Sequence, residues 1–195
     1  MTIREDQKEK RRQEILYAGL SLFIQKGYSG TTIKDIAQAV GMSAGLLFHY
    51  FASKEELYSE LVTLGMEGPM SSLQPTTQEP LAFFAATAER ILSYIQTQPF
   101  VAKMFVLMHQ AYYSDDVPAS IKERLAGFDV YTPTAQILRQ GQQNGTIRAG
   151  DPVALSIAYW SAIQGVAETL AMHSHLPCPK SEWITDILRA KQDEK

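Results

Sequence analysis

The apolar positions of this chain recur every three to four residues, which is the spacing of helices that bury one side. Glycines, and prolines beside capping residues, interrupt the pattern where helices would end or begin. We predict helix ends at Gly27, Gly65 and Gly68-Pro69, a loop over residues 70–79, a turn into a further helix over residues 114–118, and capped helix starts at Thr132-Pro133 and Asp151-Pro152. The predicted helices cover residues 8–26, 33–40, 44–50, 54–64, 81–97, 100–113, 133–143, 152–173 and 181–191. We therefore predict an all-α fold.

The segment from residue 31 to residue 56 predicts two short helices joined by a tight turn, with a third helix close behind. Thr32 can cap the first helix, because Asp35 stands where a capping box places an acid. Gly41 follows that helix at a point where a positive φ can end it. Ser43 then caps the second helix. Helix, glycine turn and helix is the geometry of a helix-turn-helix motif, although an ordinary helical hairpin inside a bundle shows the same order.

The side chains of this segment resemble the DNA-binding signature of the TetR family of transcriptional regulators. The signature consists of an Ile-Ala pair, a Gly-hydrophobic-Ser turn and a Gly-x-x-Tyr-x-Tyr-Phe run followed by a lysine. Residues 9–69 carry the resemblance, and Phe48 departs from it because the family usually has a tyrosine there. The matching positions are Ile36-Ala37, Gly41-Met42-Ser43, Gly45, Tyr50-Phe51 and Lys54.

The resemblance implies a fold with two domains and a function in gene regulation. It implies a three-helix helix-turn-helix DNA-binding domain at residues 9–69 and a helical ligand-binding and dimerisation domain at residues 70–195. It also implies a homodimer that represses transcription from a palindromic double-stranded operator and is released by a small molecule.

Candidate DNA contacts lie on the two short helices and at their ends. Thr31 and Thr32 open a helix whose free N–H groups suit a phosphate, and Lys54 offers a positive charge. In the family, the residue at the position of Tyr50 gives its hydroxyl to a phosphate. The groove-facing residues include no Arg, Asn or Gln, so we expect thymine methyl contacts and DNA shape to carry specificity. The candidate set is Thr31, Thr32, Lys34, Ser43, Ala44, Gly45, Phe48, His49, Tyr50 and Lys54.

Large adaptable side chains are concentrated between residues 83 and 160, where the resemblance places a ligand cavity. Pockets for small molecules are mostly apolar with a few polar groups, so we expect a small apolar or aromatic ligand. Aromatic and Met residues at helical spacing are also typical of plain core. The candidate lining is Phe84, Met104, Phe105, Met108, His109, Tyr112, Phe128, Trp160, Gln164 and Glu168.

The helix predicted at residues 152–173 is apolar nearly all round, so it needs burial on more than one side. The last predicted helix adds a second apolar stripe. Both helices could complete a monomer core, but we favour the dimerisation pair of the family. The candidate interface is Ala162, Val166, Leu170, Trp183, Ile184, Ile187 and Leu188.

Composition narrows the classes of protein that fit. The chain has 195 residues, of which 45% are hydrophobic, and its net charge is −3. Residues 1–54 carry eight Lys and Arg against five Asp and Glu, as a phosphate-binding face requires. With Cys178 as the one cysteine, an intrachain disulfide is impossible, and we expect a cytoplasmic protein. The charged N-terminus is unlike a signal peptide, and we expect no membrane partner.

Two other classes of function compete with the regulator. A small helical enzyme is disfavoured because no nucleophile elbow, phosphate loop or dinucleotide fingerprint is present. His173, His175 and Cys178 fit no zinc motif, so we expect no metal and no cofactor. A helical module that senses a ligand for a protein partner, without DNA, would share the fold but would not need the signature around Gly45.

Overall fold

The computed structural model describes residues 3–73 and 79–191. These residues form ten α-helices and no strand, and the one extended pairing among them is an isolated bridge between Ile147 and Arg189, so the all-α prediction is confirmed. None of the described helices is both long enough and apolar enough to span a membrane. The helices are α1 Ile3–Gly30, α2 Ile33–Ala39, α3 Ala44–Leu47, α4 Lys54–Ser72, α5 Pro80–Thr97, α6 Pro99–Tyr113, α7 Ala119–Ala126, α8 Tyr131–Gln143, α9 Pro152–Met172 and α10 Ser181–Thr185.

The chain divides into two compact units. The first contains residues up to 66 together with 103–127, and the second contains residues 67–102 and those from 128 onward. The division expected at residues 69 and 70 lies close to the first crossing. The expected division places residues 103–127 in the second domain, whereas the structure groups them with the first unit. This grouping depends on packing between residues that are distant in sequence.

Helix α4 is longer than the sequence pattern predicts. We expected Gly65, Gly68 and Pro69 to break it and residues 70–79 to form a loop, but the helix continues through all three to Ser72. Gly65 instead allows Met108 of α6 to pack closely against α4, because a Cβ atom at position 65 would lie 2.5 Å from the Sδ atom of Met108. Residues 74–78 of the expected loop lie outside the described residues.

The first unit has its core between α1, α4 and the two short helices. Leu16, Ile36, Leu47 and Leu61 are all fully buried, as the helical spacing predicts. The helical conformation of α1 is interrupted at Gly27, which has a φ of 73°, so the stop predicted there is confirmed.

The second unit is built from α5, α8, α9 and α10. Tyr159 on α9 is fully buried, and its hydroxyl donates a hydrogen bond of 2.8 Å to the carbonyl oxygen of Phe84 on α5. Burial raises the pKa of Tyr159. The start of α9 is capped by Asp151, as its Asp-Pro pair predicts. The start of α8 differs from prediction, because the Asp129 carboxylate, and not Thr132, accepts the free N–H groups.

The last helix is much shorter than residues 181–191. It ends at Thr185, and the chain then turns so that Arg189 pairs with Ile147. A β-bridge needs an extended backbone, so a helix through Arg189 is incompatible with this pairing.

Candidate nucleic-acid interface

The start of α2 carries the predicted capping box. The backbone N–H of Thr32 donates to Asp35 Oδ2 at 2.9 Å, and that of Asp35 donates to Thr32 Oγ1 at 3.1 Å. Hydrogen bonds from Thr32, followed by one from Lys26, lower the pKa of Asp35 to about 2. The box uses the Thr32 N–H group that we expected to meet a phosphate, and it places a carboxylate beside it.

The turn between α2 and α3 has the predicted geometry. Gly41 has a φ of 63°, and the N–H of Met42 returns to the carbonyl of Ala37 at 2.9 Å. Ser43 caps α3 by accepting the N–H of Leu46 at 3.2 Å. The α-helical part of α3 ends at Leu47, earlier than the predicted Tyr50.

The outward side of α3 and of the turn after it is apolar and open. Leu46 is 47% exposed and Phe48 is 51% exposed, whereas Leu47 between them is fully buried. His49 and Gly45 are also exposed. Sequence reasoning identified Gly45, Phe48 and His49 but missed Leu46. Leu46 is one residue from the buried Leu47 and therefore about 100° away around the helix, which is the signal that could have found it.

Two arginines of α1 hold the helix-turn-helix in place. Arg11 donates to the carbonyl oxygen of Val40, at the end of α2, at 2.7 Å. Arg12 forms a two-bond ion pair with Glu60 of α4 and lies 4.8 Å from the ring centre of Phe51. Both arginines therefore act inside the unit.

Thr31 is not placed for a DNA contact. It is fully buried, and its hydroxyl donates to the carbonyl oxygens of Gly27 at 2.8 Å and Leu22 at 3.2 Å. The prediction that Thr31 meets a phosphate is therefore wrong in this structure, because the residue closes the turn after α1.

The two predicted lysine contacts differ in their surroundings. Lys34 is exposed on α2. Lys54 is half-buried, donates to the carbonyl oxygen of Tyr28 at 2.8 Å, and lies 4.1 Å from the ring centre of the same tyrosine. Its ammonium group has three donors, so one or two are still available to a phosphate. Tyr50 and Ala44 are half-buried, and Ser43 is exposed.

The predicted pocket residues divide between the two units. Met104, Phe105, Met108, His109 and Tyr112 belong to the first unit, and Phe84, Phe128, Trp160, Gln164 and Glu168 belong to the second. Within the second unit Phe84 and Trp160 are buried, and the Trp160 indole donates to Thr134 Oγ1 at 3.0 Å. Both have the contacts of core residues.

A surface cavity of about 670 Å³ lies in the second unit, and none of the predicted pocket residues lines it. Its walls come from the segment between α8 and α9 and from the end of the described chain. The lining residues are Gln142, Gly145, Ile147, Arg148, Ala149, Gly150, Ala190 and Lys191.

The predicted dimer interface is partly buried inside the single chain. Ile184 and Leu188 belong to its core, so their assignment to a surface between subunits is wrong here. Trp183 is 63% exposed. Ala162, Val166, Leu170 and Ile187 are half-buried.

The histidines near the end of α9 show no metal-site geometry. The rings of His173 and His175 are 6.1 Å apart, and both residues are exposed. No cluster of three or more His, Cys, Asp or Glu suited to a metal occurs within residues 3–73 and 79–191. Burial raises the pKa of the Cys178 thiol, which lowers the fraction of reactive thiolate.

Comparison with known proteins places the helix-turn-helix in a family. Residues 15–61 match the model of the bacterial regulatory proteins of the tetR family. The chain is 32% identical over 76 residues to the uncharacterized HTH-type transcriptional regulator YfiR of Bacillus subtilis, covering 39% of this chain and 37% of YfiR. The chain thus spans little more than a third of that relative.

Longer matches extend beyond the helix-turn-helix. The probable acrEF/envCD operon repressor of Escherichia coli is 28% identical over 177 residues, covering 84% of this chain and 77% of the repressor. The crystal structure of the MbdR regulator from Azoarcus has the same fold, with a TM-score of 0.75, 20% identity and coverage of 93% of this chain and 99% of MbdR. The family model matched over residues 15–61 shows that this part of the chain is a helix-turn-helix domain of the tetR family, and the longer matches support a TetR-family transcriptional regulator.

Proposed function

We propose that this protein is a DNA-binding transcriptional repressor that acts as a homodimer on a palindromic operator and is released by a small molecule. The observation that carries the proposal is the outward face of α3, where Leu46 and Phe48 are exposed beside Gly45. A short helix with a small first turn and apolar side chains suits entry into a major groove. The E. coli relative is named as an operon repressor, which supports repression as the outcome.

Gly45 gives the physical argument for a partner outside the chain. A glycine inside a helix costs about 0.5–1 kcal/mol relative to alanine. Nothing among the described residues requires a glycine here, because a Cβ atom there would meet only Ser43 Oγ, at 4.0 Å, and the φ of Gly45 is not positive. The close approach of a DNA backbone or base edge would account for the missing side chain.

The remaining contacts are assigned by exposure. Leu46 and Phe48 suit thymine methyl groups, and His49 is exposed next to them. Lys34 and Tyr50 are the phosphate contacts, joined by the spare donors of Lys54. The N–H and hydroxyl groups of Thr32 are bonded to Asp35, and burial excludes Thr31.

The exposed face of α9 is the proposed dimer surface. Ile157 and Met172 are exposed on it, and Ser161 and Gly165 lie between them at helical spacing. Among residues 3–73 and 79–191, a Cβ atom on Gly165 would meet nothing within 4 Å, so the packing of these residues gives no reason for the glycine. A second copy of α9 could approach closely there. The proposed surface further includes the half-buried Ala162, Val166, Leu170 and Ile187 and the exposed Trp183.

The ligand is proposed to bind among the half-buried residues of the second unit. Gln164 donates a hydrogen bond to Glu168 on the otherwise apolar α9, which gives two polar groups where a ligand could be oriented. Release of DNA requires that the ligand prefer the state that cannot bind DNA, since equal affinity for both states shifts nothing.

Selection from a random-sequence DNA library tests the proposed function. We expect enrichment of a palindrome whose half-sites are rich in A·T pairs, because the face of α3 is suited to methyl groups. The matched control is Phe48→Asp, an exposed position at which a charge should abolish enrichment without unfolding the chain. Absence of any enriched sequence with the folded wild type would favour the other reading, in which the same apolar face binds a protein.

A further inference from the structure

The segment of residues 103–127, which contains most of α6 and all of α7, is held together as one piece. Lys122 donates to the carbonyl oxygen of Tyr112 at 2.8 Å, and the Tyr112 hydroxyl donates to the carbonyl oxygen of Leu125 at 3.2 Å. Ile121 and Leu125 are buried. The segment belongs to the first unit, yet the chain passes into the second unit at both of its ends.

This segment bonds to α1 through polar side chains of α6. Lys103 donates to Ser21 Oγ at 3.0 Å and lies 4.8 Å from the ring centre of Tyr17. Gln110 donates to the carbonyl oxygen of Ile24 at 3.3 Å. Helix α1 is therefore bonded to α6 at two positions along its length.

The same segment bonds to α4 through α7. Arg124 donates to Ser59 Oγ and to Thr63 Oγ1, both at 2.6 Å, and Ser120 donates to Glu55 Oε1 at 2.8 Å. Glu55, Ser59 and Thr63 are four residues apart and form one stripe of α4. Ser120 and Arg124 are also four apart, so two matched polar stripes meet.

We propose that Arg124 is a positioning residue for operator binding, an inference that rests on the function proposed above. Its planar guanidinium is a rigid fork, and here it spans two hydroxyls one helical turn apart. Two bonds from one fork resist both rotation and sliding of α4 against α7. We call the two bonds from Arg124 to Ser59 and Thr63 the brace. Because the ion pair of Arg12 and Glu60 fixes α4 to α1, the brace also restrains the helix-turn-helix.

A fixed position matters only for DNA with two half-sites at a set spacing. Loss of the brace leaves the buried cores of both units intact, since Arg124 is exposed and contacts α4 through hydroxyls. Without the two bonds of Arg124, the helix-turn-helix samples more positions relative to α7. Ordering it on the operator then costs free energy, so specific binding becomes weaker. Binding to random DNA, which accepts many positions, is unaffected.

The test compares Arg124→Ala with Arg139→Ala, which removes the same charge from an exposed position on α8. Affinities are measured for the selected operator and for random DNA at one salt concentration. We expect Arg124→Ala to weaken operator binding about tenfold, in line with the loss of a charged hydrogen bond, and to match the control on random DNA. Arg124→Lys, which can reach one hydroxyl, should recover part of the loss.

A variant with Ser59→Ala and Thr63→Val separates positioning from a charge effect. In that background Arg124→Ala should cause no further loss, because its acceptors are already gone. An equal loss on operator and random DNA, or a full additional loss in the background variant, would overturn the proposal. So would unchanged operator binding by Arg124→Ala. Failure of the wild type to select any operator would instead remove the proposed function, and the positioning role with it.

Discussion

The ammonium group of Lys54 donates a 2.8 Å hydrogen bond to the carbonyl oxygen of Tyr28 and lies 4.1 Å from the centre of that residue's ring. The contact joins the start of α4 to the end of α1, on either side of the helix-turn-helix. A lysine placed for phosphate contact is therefore also part of the unit's own structure.

Replacement of Lys54 should affect both stability and DNA binding. Lys54→Ala removes the bond to Tyr28 and one phosphate contact, so we expect a lower melting temperature and weaker binding on all DNA sequences alike. The salt slope of binding should fall by roughly one unit. Lys34→Ala is the matched control, because Lys34 is exposed on α2 and should lower affinity with little change in stability. A salt slope unchanged by Lys54→Ala would leave this residue a structural role alone.

Replacement of Gly45 should separate stability from function. Gly45→Ala should stabilise the protein by about 0.5–1 kcal/mol, because alanine is the better helix former and the site has room for its methyl group. Operator affinity should nevertheless fall about tenfold, since the methyl group blocks close approach to DNA.

Gly68→Ala is the control for this pair of measurements. Gly68 lies inside α4, and a Cβ atom there would meet no atom of the described part of the chain within 4 Å. It should gain similar stability without loss of operator binding. Unchanged operator affinity in Gly45→Ala would remove the reason given for the glycine.

The proposed dimer surface can be tested at Gly165. Gly165→Arg places a long charged side chain on the open face of α9, where the single chain has space for it. We expect the mass measured by light scattering to change from two chains to one, with operator binding much weaker. Gln136→Arg adds the same charge at an exposed position of α8 and should leave the mass at two chains. A wild-type mass of one chain at micromolar concentration would rule out the dimer.

Acid should loosen the start of α2 through Asp35. Its pKa is lowered to about 2 from an ordinary 3.8, so its ionised form stabilises the folded state. That contribution is present above pH 3.8 and is lost as the pH falls towards 2. Asp35→Asn should flatten the fall in melting temperature between these values, whereas Asp115→Asn, at an exposed turn, should not. Equal acid dependence in Asp35→Asn and the wild type would show that the capping box contributes nothing.

Local signals predicted much of the helix-turn-helix. The caps of Thr32 and Ser43 and the turn at Gly41 depend on residues within five positions of each other, so the sequence pattern is sufficient to place them. The face of α3 followed from the same spacing, apart from Leu46.

Long-range packing explains most of what the sequence did not predict. The local pattern predicts a helix break at Gly65, but the side chain that packs against it, Met108, is more than forty positions away. The early end of α10 depends on the pairing of Arg189 with Ile147. The position of Thr31 at a helix start predicts a phosphate contact, because nothing in the adjacent sequence indicates that its hydroxyl bonds to the carbonyl oxygens of Gly27 and Leu22.

Footprinting of the wild type on its selected operator tests the central claim most directly, because it reports which groove the protein covers and how many separate segments it protects. We predict two protected major-groove segments separated by about 34–36 Å, or a multiple of one helical turn, in a complex of two chains per operator. Protection should vanish for Phe48→Asp. A single protected segment, protection confined to the minor groove, or equal protection by Phe48→Asp would contradict the account.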